Sequence, residues 1–299
     1  MRILVLGSTG YLGAHVAERL RTLRGARVLR VGRSPDADHQ VDLASVRPEE
    51  LAKTLASVAP DAVVNCAGAT GGDAVTLAEL NTRGPAVLCA ALREAAPAAR
   101  LVHLGSAAEY GPGEPGNPVT ESAATRPVGP YGATKLAGTA VVTACGLDSV
   151  VLRVGNPVGP GAPPAGLPGR MTALLRQADR GPDAVLRLGD LSAHRDFVDV
   201  RDVAWAVEFA VTAPQPLLPV LNIGSGRAVP VRELVHHLAE LAGFRGRIEE
   251  NAGSGSSVRS GEVSWQCSAI GAAEEALGWR PLHTLDEALA ALWEADGSP

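Results

Sequence analysis

The chain opens on RILVLGSTGYLGAHVAERLRTL: a short apolar run, glycines at Gly7, Gly10 and Gly13, then apolar residues at helical spacing (Leu12, Val16, Leu20, Leu23). No other stretch constrains the fold as much. A strand apolar on both faces must be covered on both, which points to a parallel sheet between layers of helices. Glycines let the adjoining turn close tightly and bring backbone N–H groups up to an anion, whose charge the helix N-terminus then stabilises. A plain strand–helix turn would also accept these glycines, so the reading depends on the rest of the chain.

The pattern recurs. Val28–Val31, Asp61–Asn65, Leu101–Leu104 and Ser149–Val154 are further apolar strand candidates with helical segments between them. This alternation predicts an α/β fold, a Rossmann-type doubly wound parallel sheet. Two stretches rich in Gly and Pro, Gly111–Pro130 and Gly159–Gly169, read as loops, the second as an exit toward a smaller C-terminal α/β substrate-binding domain. Beyond it helices are expected near Met171–Asp179, Val200–Val211, Val231–Ala242 and Leu285–Ala295, with a surface loop over the Gly/Ser-rich segment from residue 251. The expected division assigns residues 1–158, with a return segment at about 195–224, to the dinucleotide-binding domain, and 159–194 with 225–299 to the second.

The totals exclude several classes of function. With 299 residues the chain can bury a large core without staples. A net charge of -5 and a pI near 5.8 provide no basic field for nucleic acid or an anionic membrane. Cys66, Cys89, Cys145 and Cys267 show no metal-ligand spacing and read as thiols of a reducing cytoplasm, so no metal is expected and the location is cytoplasmic. No apolar run approaches the roughly 18 to 20 residues of a membrane span, and the N-terminal run is too short for a signal peptide.

The glycine loop, Gly7 with Thr9, Gly10, Tyr11, Leu12 and Gly13, is the candidate pyrophosphate site. The second strand ends VGRS, without the carboxylate that would receive a ribose 2′-hydroxyl. Arg33 and Ser34 stand there instead, suited to a 2′-phosphate, which favours NADP(H) over NAD; a solvated surface arginine is the alternative. Asp42 and Leu43 in VDL suit the adenine edge. Asn65, Cys66, Ala67 and Gly68 in NCAGA close a buried strand where a parallel sheet leaves its ligand crevice.

The chemistry centres on PYGATK. The chain has 27 basic side chains, of which only Lys53 and Lys135 are lysines, and Lys135 stands four residues after Tyr131, one of three tyrosines. At that spacing the two share a helix face. A neighbouring ammonium favours the phenolate and so makes a better acid-base group of a tyrosine, in a compact space that a guanidinium fork would not fit. An isolated pair of this kind is also common on ordinary helices. Ser106, in GSAAEYG just past a buried strand, changes the balance: a strand-end serine and a helical Tyr–Lys pair can converge on one carbonyl oxygen beside a nicotinamide.

These motifs, with NTRG at Asn81, RVGNPVGPG, HRDFVDVRDVA, NIGSG and LGWRP, run through nearly the whole chain, and together they resemble the extended short-chain dehydrogenase/reductases of the NAD-dependent epimerase/dehydratase group, which act on nucleotide sugars. GDLSAHRDFVDVRDVAWA followed by LNIGSGRAVPVRELVHHL resembles the GDP-4-keto-6-deoxy-mannose reductases and the 4-ketoreductases of deoxysugar pathways. The resemblance implies Tyr131 as general acid, Lys135 as ribose ligand and tuner of Tyr131, and Ser106 as the holder of the substrate oxygen. It places Asn81 at the cofactor, Ala107 and Glu109 beside the substrate, with a Glu109 that faces away or holds a loop as the alternative, and Asn156, Arg187, Arg195 and Arg259 among groups for the sugar and its diphosphate. Arg195 precedes Asp196, so an internal ion pair is the competing assignment. A homodimer is a further implication.

Two departures matter. Dehydratases and decarboxylases of this group carry acidic residues just after the Ser/Thr, where this chain has Ala107 and Ala108; without a carboxylate there, water elimination lacks its acid and base. Members also often show an Asp near Cys267 or Ser268. The expectation is an NADPH-dependent reduction of a 4-keto-6-deoxyhexose on GDP or dTDP. An NAD-dependent sugar 4-epimerase and a noncatalytic dinucleotide sensor are the alternatives.

Overall fold

The computed structural model describes residues 1–179, 181–250 and 263–295. The first half runs β1 (Arg2–Leu6), α1 (Tyr11–Arg21), β2 (Arg27–Gly32), a short β3 (His39–Gln40), α2 (Pro48–Val58), β4 (Ala62–Asn65), α3 (Ala74–Ala78), a π-helical turn over Glu79–Arg83, α4 (Gly84–Ala95) and β5 (Arg100–Ser106). A 3-10 turn over Ala107–Glu109 leads into the long loop, then α5 (Pro130–Thr143), β6 (Ser149–Val154) and β7 (Asn156–Val158). The second half holds α6 (Leu167–Gln177), β8 (Val185–Leu188), β9 (His194–Asp199), α7 (Val200–Thr212), β10 (Val220–Ile223), β11 (Ala228–Pro230), α8 (Val231–Leu241), β12 (Arg247–Glu250), α9 (Gly271–Leu277) and α10 (Leu285–Ala295).

Seven strands form one parallel sheet in the order β10-β6-β5-β4-β1-β2-β3. Alternate residues of β1 serve opposite faces: Ile3 and Val5 pack with Val16 and Leu20 of α1 and Val203 and Val207 of α7, while Leu4 and Leu6 pack with Leu51 and Leu55 of α2 and Leu88 and Leu92 of α4. Both faces are therefore dry, and the unbroken apolar run of β1 reflects that. The chain leaves β1 toward β2 and β3, then crosses back to β4 and outward to β10. That reversal leaves a crevice beyond the carboxyl ends of β1 and β4, where ligands bind in folds of this kind.

The second lobe has its own core, with Val158, Met171, Leu175, Phe197, Leu234, Leu238, Leu289 and Leu292. Its strands are short: a three-stranded sheet β11-β9-β7 and a two-stranded pair β12-β8. Two boundaries differ from the sequence expectation. β9, expected as part of the return to the large sheet, pairs instead with β7 and β11. Within 225–299, Ala273 and Trp279 pack in the first lobe's core, where Trp279 donates from its indole nitrogen to the Asp202 carbonyl at 3.0 Å. The buried indole needs that partner, and the first lobe supplies it. No helix of the described residues is long and apolar enough to cross a membrane, and among them no group of three His, Cys, Asp or Glu is arranged to hold a metal ion.

One close approach sets the position of α5. A Cβ added to Gly138 would stand 2.1 Å from the Asn81 carbonyl oxygen in the π-helical turn. Gly138→Ala should destabilise the protein by about 2 kcal/mol, overpacking outweighing the better helix propensity of alanine. Urea unfolding curves of the two proteins would measure the difference.

Candidate active site

The glycine loop forms a cradle with no room for side chains. Gly7 has φ of +75°, and a Cβ there would lie 2.7 Å from the Ala67 amide nitrogen at the end of β4. A Cβ on Gly13 would lie 2.1 Å from the Gly7 carbonyl oxygen. Gly10 precedes α1 without a side-chain cap, and the first turn of α1 carries no acidic residue. The helix N-terminus and the carboxyl ends of β1 and β4 thus face one small space with backbone amides and no competing carboxylate, which fits a pyrophosphate. Thr9 and Gly10 are exposed at its mouth, with Tyr11 and Leu12 half-buried behind. The Tyr11 hydroxyl donates to the Gly159 carbonyl and His15 meets the Pro160 carbonyl, so α1 is braced against the loop that leads to the second lobe.

The rim beyond β2 is open. Arg33 is exposed, and the Ser34 hydroxyl accepts from the Asp36 amide in a local turn. Leu43 is buried, while Asp42 accepts from the Ala44 amide. Arg83, which sequence reasoning did not single out, donates to the carbonyls of Leu43, Ala44 and Val46 and so holds this rim from the π-helical turn. Across the crevice, Asn65 accepts from the Ala67 amide, and Asn81 both accepts from the Ala69 amide and donates to the Ala69 carbonyl, each at 2.9 Å. These two side chains fix the path of Cys66, Ala67 and Gly68. Asn81 also donates to Thr134, tying that loop to α5.

Ser106 is the last residue of β5 and its hydroxyl accepts from the Ala108 amide. The first turn of α5 lies directly on this turn: a Cβ on Gly132 would stand 2.5 Å from the Ala108 carbonyl oxygen. Tyr131, the residue before Gly132, is half-buried in that turn. One turn further, Lys135 is buried against the sheet, its Nζ donating to the Leu104 carbonyl at 2.5 Å and lying 4.0 Å from where a Gly68 Cβ would be. Burial pushes Lys135 down to about 8, against the pull of Glu109. Burial also pushes the Cys66 thiol up to about 12 and the His103 imidazole well below its ordinary value, so both are neutral neighbours.

Glu109 does not face the substrate space expected for it. Its side chain is fully buried, one oxygen accepting from the Ser106 amide at 2.8 Å and the other from Arg153 Nε at 2.7 Å. The 3-10 turn, rather than strand alternation, decides its direction and sends it back under the strand that precedes it. The guanidinium of Arg153 lies 4.5 Å from the centre of the Tyr110 ring, and the Tyr110 hydroxyl donates to Asn222. A lone arginine in the apolar strand SVVLRV was the one sequence sign of this network.

On the second-lobe side, Asn156 donates to the Asp196 carbonyl and, at 3.4 Å, to Gln266, which in turn donates to the Ala107 carbonyl. Arg195 is buried, donates to the His194 carbonyl, and has its pKa lowered by that burial. Its neighbour Asp196 takes a different role from an ion pair: its oxygens accept from the Ser225 amide and hydroxyl, both at 2.6 Å, and from the Gly226 and Ser268 amides. Cys267 is buried and Ser268 bridges to Val119 in the long loop. Arg187 is exposed on β8 and paired with Glu249 at 3.3 Å. Arg259 and the expected loop from residue 251 lie outside the described residues.

The profile of the NAD dependent epimerase/dehydratase family matches residues 3–224. The chain belongs to that family. It is 38% identical over 99% of its length, and 96% of the other's, to a dTDP-6-deoxy-L-talose 4-dehydrogenase (NAD(P)(+)) of Kitasatospora kifunensis. Among solved structures it is similar to MoeE5 in complex with UDP-glucuronic acid and NAD, at a TM-score of 0.85 and 28% identity over 99% of both chains. It is also similar to a Thermus thermophilus UDP-glucose 4-epimerase in complex with NAD, at 0.82 and 26% over the full length of both. The epimerase/dehydratase family is a nucleotide-sugar-modifying one, and its dinucleotide cofactor suits the glycine cradle described above.

Proposed function

We propose that this enzyme reduces the C4 ketone of a nucleotide-linked 4-keto-6-deoxyhexose. What carries the reading is the turn after β5: a hydroxyl at Ser106, two alanines in place of carboxylates, and the Tyr131 turn of α5 laid upon it. The likeness to the Kitasatospora dehydrogenase favours a dTDP-linked sugar. The exposed Arg33 at the end of β2 favours a 2′-phosphate, hence NADPH.

The glycine loop would hold the dinucleotide by its pyrophosphate, and when bound it would supply hydride chemistry at sugar C4. Ser106 donates a hydrogen bond to the C4 oxygen, and Tyr131 delivers the proton that this oxygen needs as it becomes a hydroxyl. Lys135, held as an ammonium beside the ribose, lowers the cost of leaving Tyr131 as a phenolate. Asn156 and Arg195 grip the diphosphate, a guanidinium fork being suited to paired oxygens. With Ala107 and Ala108 at the sugar, no group abstracts a proton for dehydration.

Nicotinamide absorbance decides the matter when protein and NADPH are mixed with dTDP- and GDP-4-keto-6-deoxyhexoses in parallel. Stoichiometric loss of NADPH with the dTDP sugar is expected. A sugar 4-epimerase is the second reading, favoured by the likeness to the Thermus thermophilus enzyme. No loss with either ketosugar, together with NAD retained through purification, would replace the reductase by that epimerase.

A further inference from the structure

The charged group behind the catalytic turn has no part in the chemistry above. Glu109 is wholly enclosed, and an added Cβ on Gly105 would stand 2.7 Å from its Oε1, so the glycine before Ser106 is what leaves space for a carboxylate there. Such a group is costly to bury unless fully engaged. Here both oxygens are used, one by the Ser106 amide and one by Arg153, which is itself buried and stacked on Tyr110. The pair therefore fixes the backbone of the serine that holds the substrate oxygen.

It also lies along the same stretch of β5 as Lys135: Glu109 accepts from the Ser106 amide, and Lys135 Nζ donates to the carbonyl of Leu104, two residues earlier. Three titratable groups interact with Lys135, namely Glu109 from the 3-10 turn, Cys66 from beyond the end of β4 and His103 from β5, while Tyr131 stands four residues before it on its own helix. Cys66 and His103 are kept neutral by burial, whereas Glu109 is the leading influence that opposes the loss of the Lys135 proton.

We propose that Glu109 is a positioning residue of this site: clamped by Arg153, its carboxylate fixes Ser106 and supplies the negative charge that keeps buried Lys135 an ammonium. The inference rests on the reductase reading for turnover, but its charge role concerns cofactor binding as well.

The sign is direct. Lys135 titrates near 8, so NADPH binding and turnover fall as pH rises through that value. Removing the negative charge makes the ammonium harder to keep, so in Glu109→Gln both alkaline limbs should move to lower pH by about one unit. Glu109→Asp, which restores the charge at a shorter reach, should bring the limbs back while kcat stays lowered. NADPH fluorescence titrations across pH, alongside turnover, separate the two questions. An unmoved binding limb in Glu109→Gln overturns the charge role even if kcat falls, whereas silence of the wild type toward both ketosugars overturns only the reductase reading. Should Arg153 left alone prevent Glu109→Gln from folding, Glu109→Gln combined with Arg153→Met removes both charges together; a downward shift is still required of it, smaller than that of Glu109→Gln because the lost cation acts in the opposite sense.

Discussion

Tyr131→Phe should lower kcat about a thousandfold, within the range that a positioned general acid contributes. The ring stays and only the hydroxyl goes, so the first turn of α5 keeps its packing on the Ala108 carbonyl. NADPH binding and the melting temperature should therefore match the wild type, and the loss should appear in kcat rather than KM. Rapid-mixing absorbance with the dTDP ketosugar gives the rate, and nicotinamide fluorescence gives the binding. Turnover within tenfold of the wild type would mean that another group delivers the proton, and Tyr131 would lose its assigned role.

Asp196→Ala should cost about 3 to 5 kcal/mol, because it strands the buried amide of Ser268 and the half-buried amide and hydroxyl of Ser225. For a chain of this size the expected fall in melting temperature is about 5 to 8 °C. Asp196→Asn keeps one acceptor oxygen and loses the charge that burial disfavours, so it should lose only part of that. Differential scanning calorimetry of the three proteins tests the order. Equal melting temperatures for wild type and Asp196→Ala would show that the turn at Ser225–Arg227 and the strand at Ser268 hold without this carboxylate.

Much of the first lobe was legible in the sequence because its central strands are buried on both faces and two glycines of the cradle have a steric reason. β1, β4, β5 and β6 announce themselves as apolar runs, and Gly7 and Gly13 stand where no Cβ fits. Tyr131 and Lys135 stand out because helical spacing and the rarity of lysine act together, and both do lie on α5. Directions of polar side chains at turns were not legible. Glu109 stands three residues after Ser106, and only the tight 3-10 geometry turns it inward. Asp196 is adjacent to an arginine in sequence, yet its partners come from Ser225, Gly226 and Ser268, which no local pattern reveals. The second lobe's sheets consist of strands of three to six residues, too short for periodicity to separate from loop. Arg83 carried no signal, because its work is done through backbone carbonyls distant in the chain.

The placement of Trp279 in the first core bears on how the gene can be divided. An early fragment ending at residue 158 would lack α7, β10 and α9, and with them Val203, Val207, Leu221, Ile223, Ala273 and the buried indole that complete one face of the large sheet. A late fragment would carry those residues with nothing to cover. Neither piece is a module that recombination could exchange between relatives. Exchange by grafting is therefore better attempted with α6 alone, whose buried Met171 and Leu175 pack in the second core.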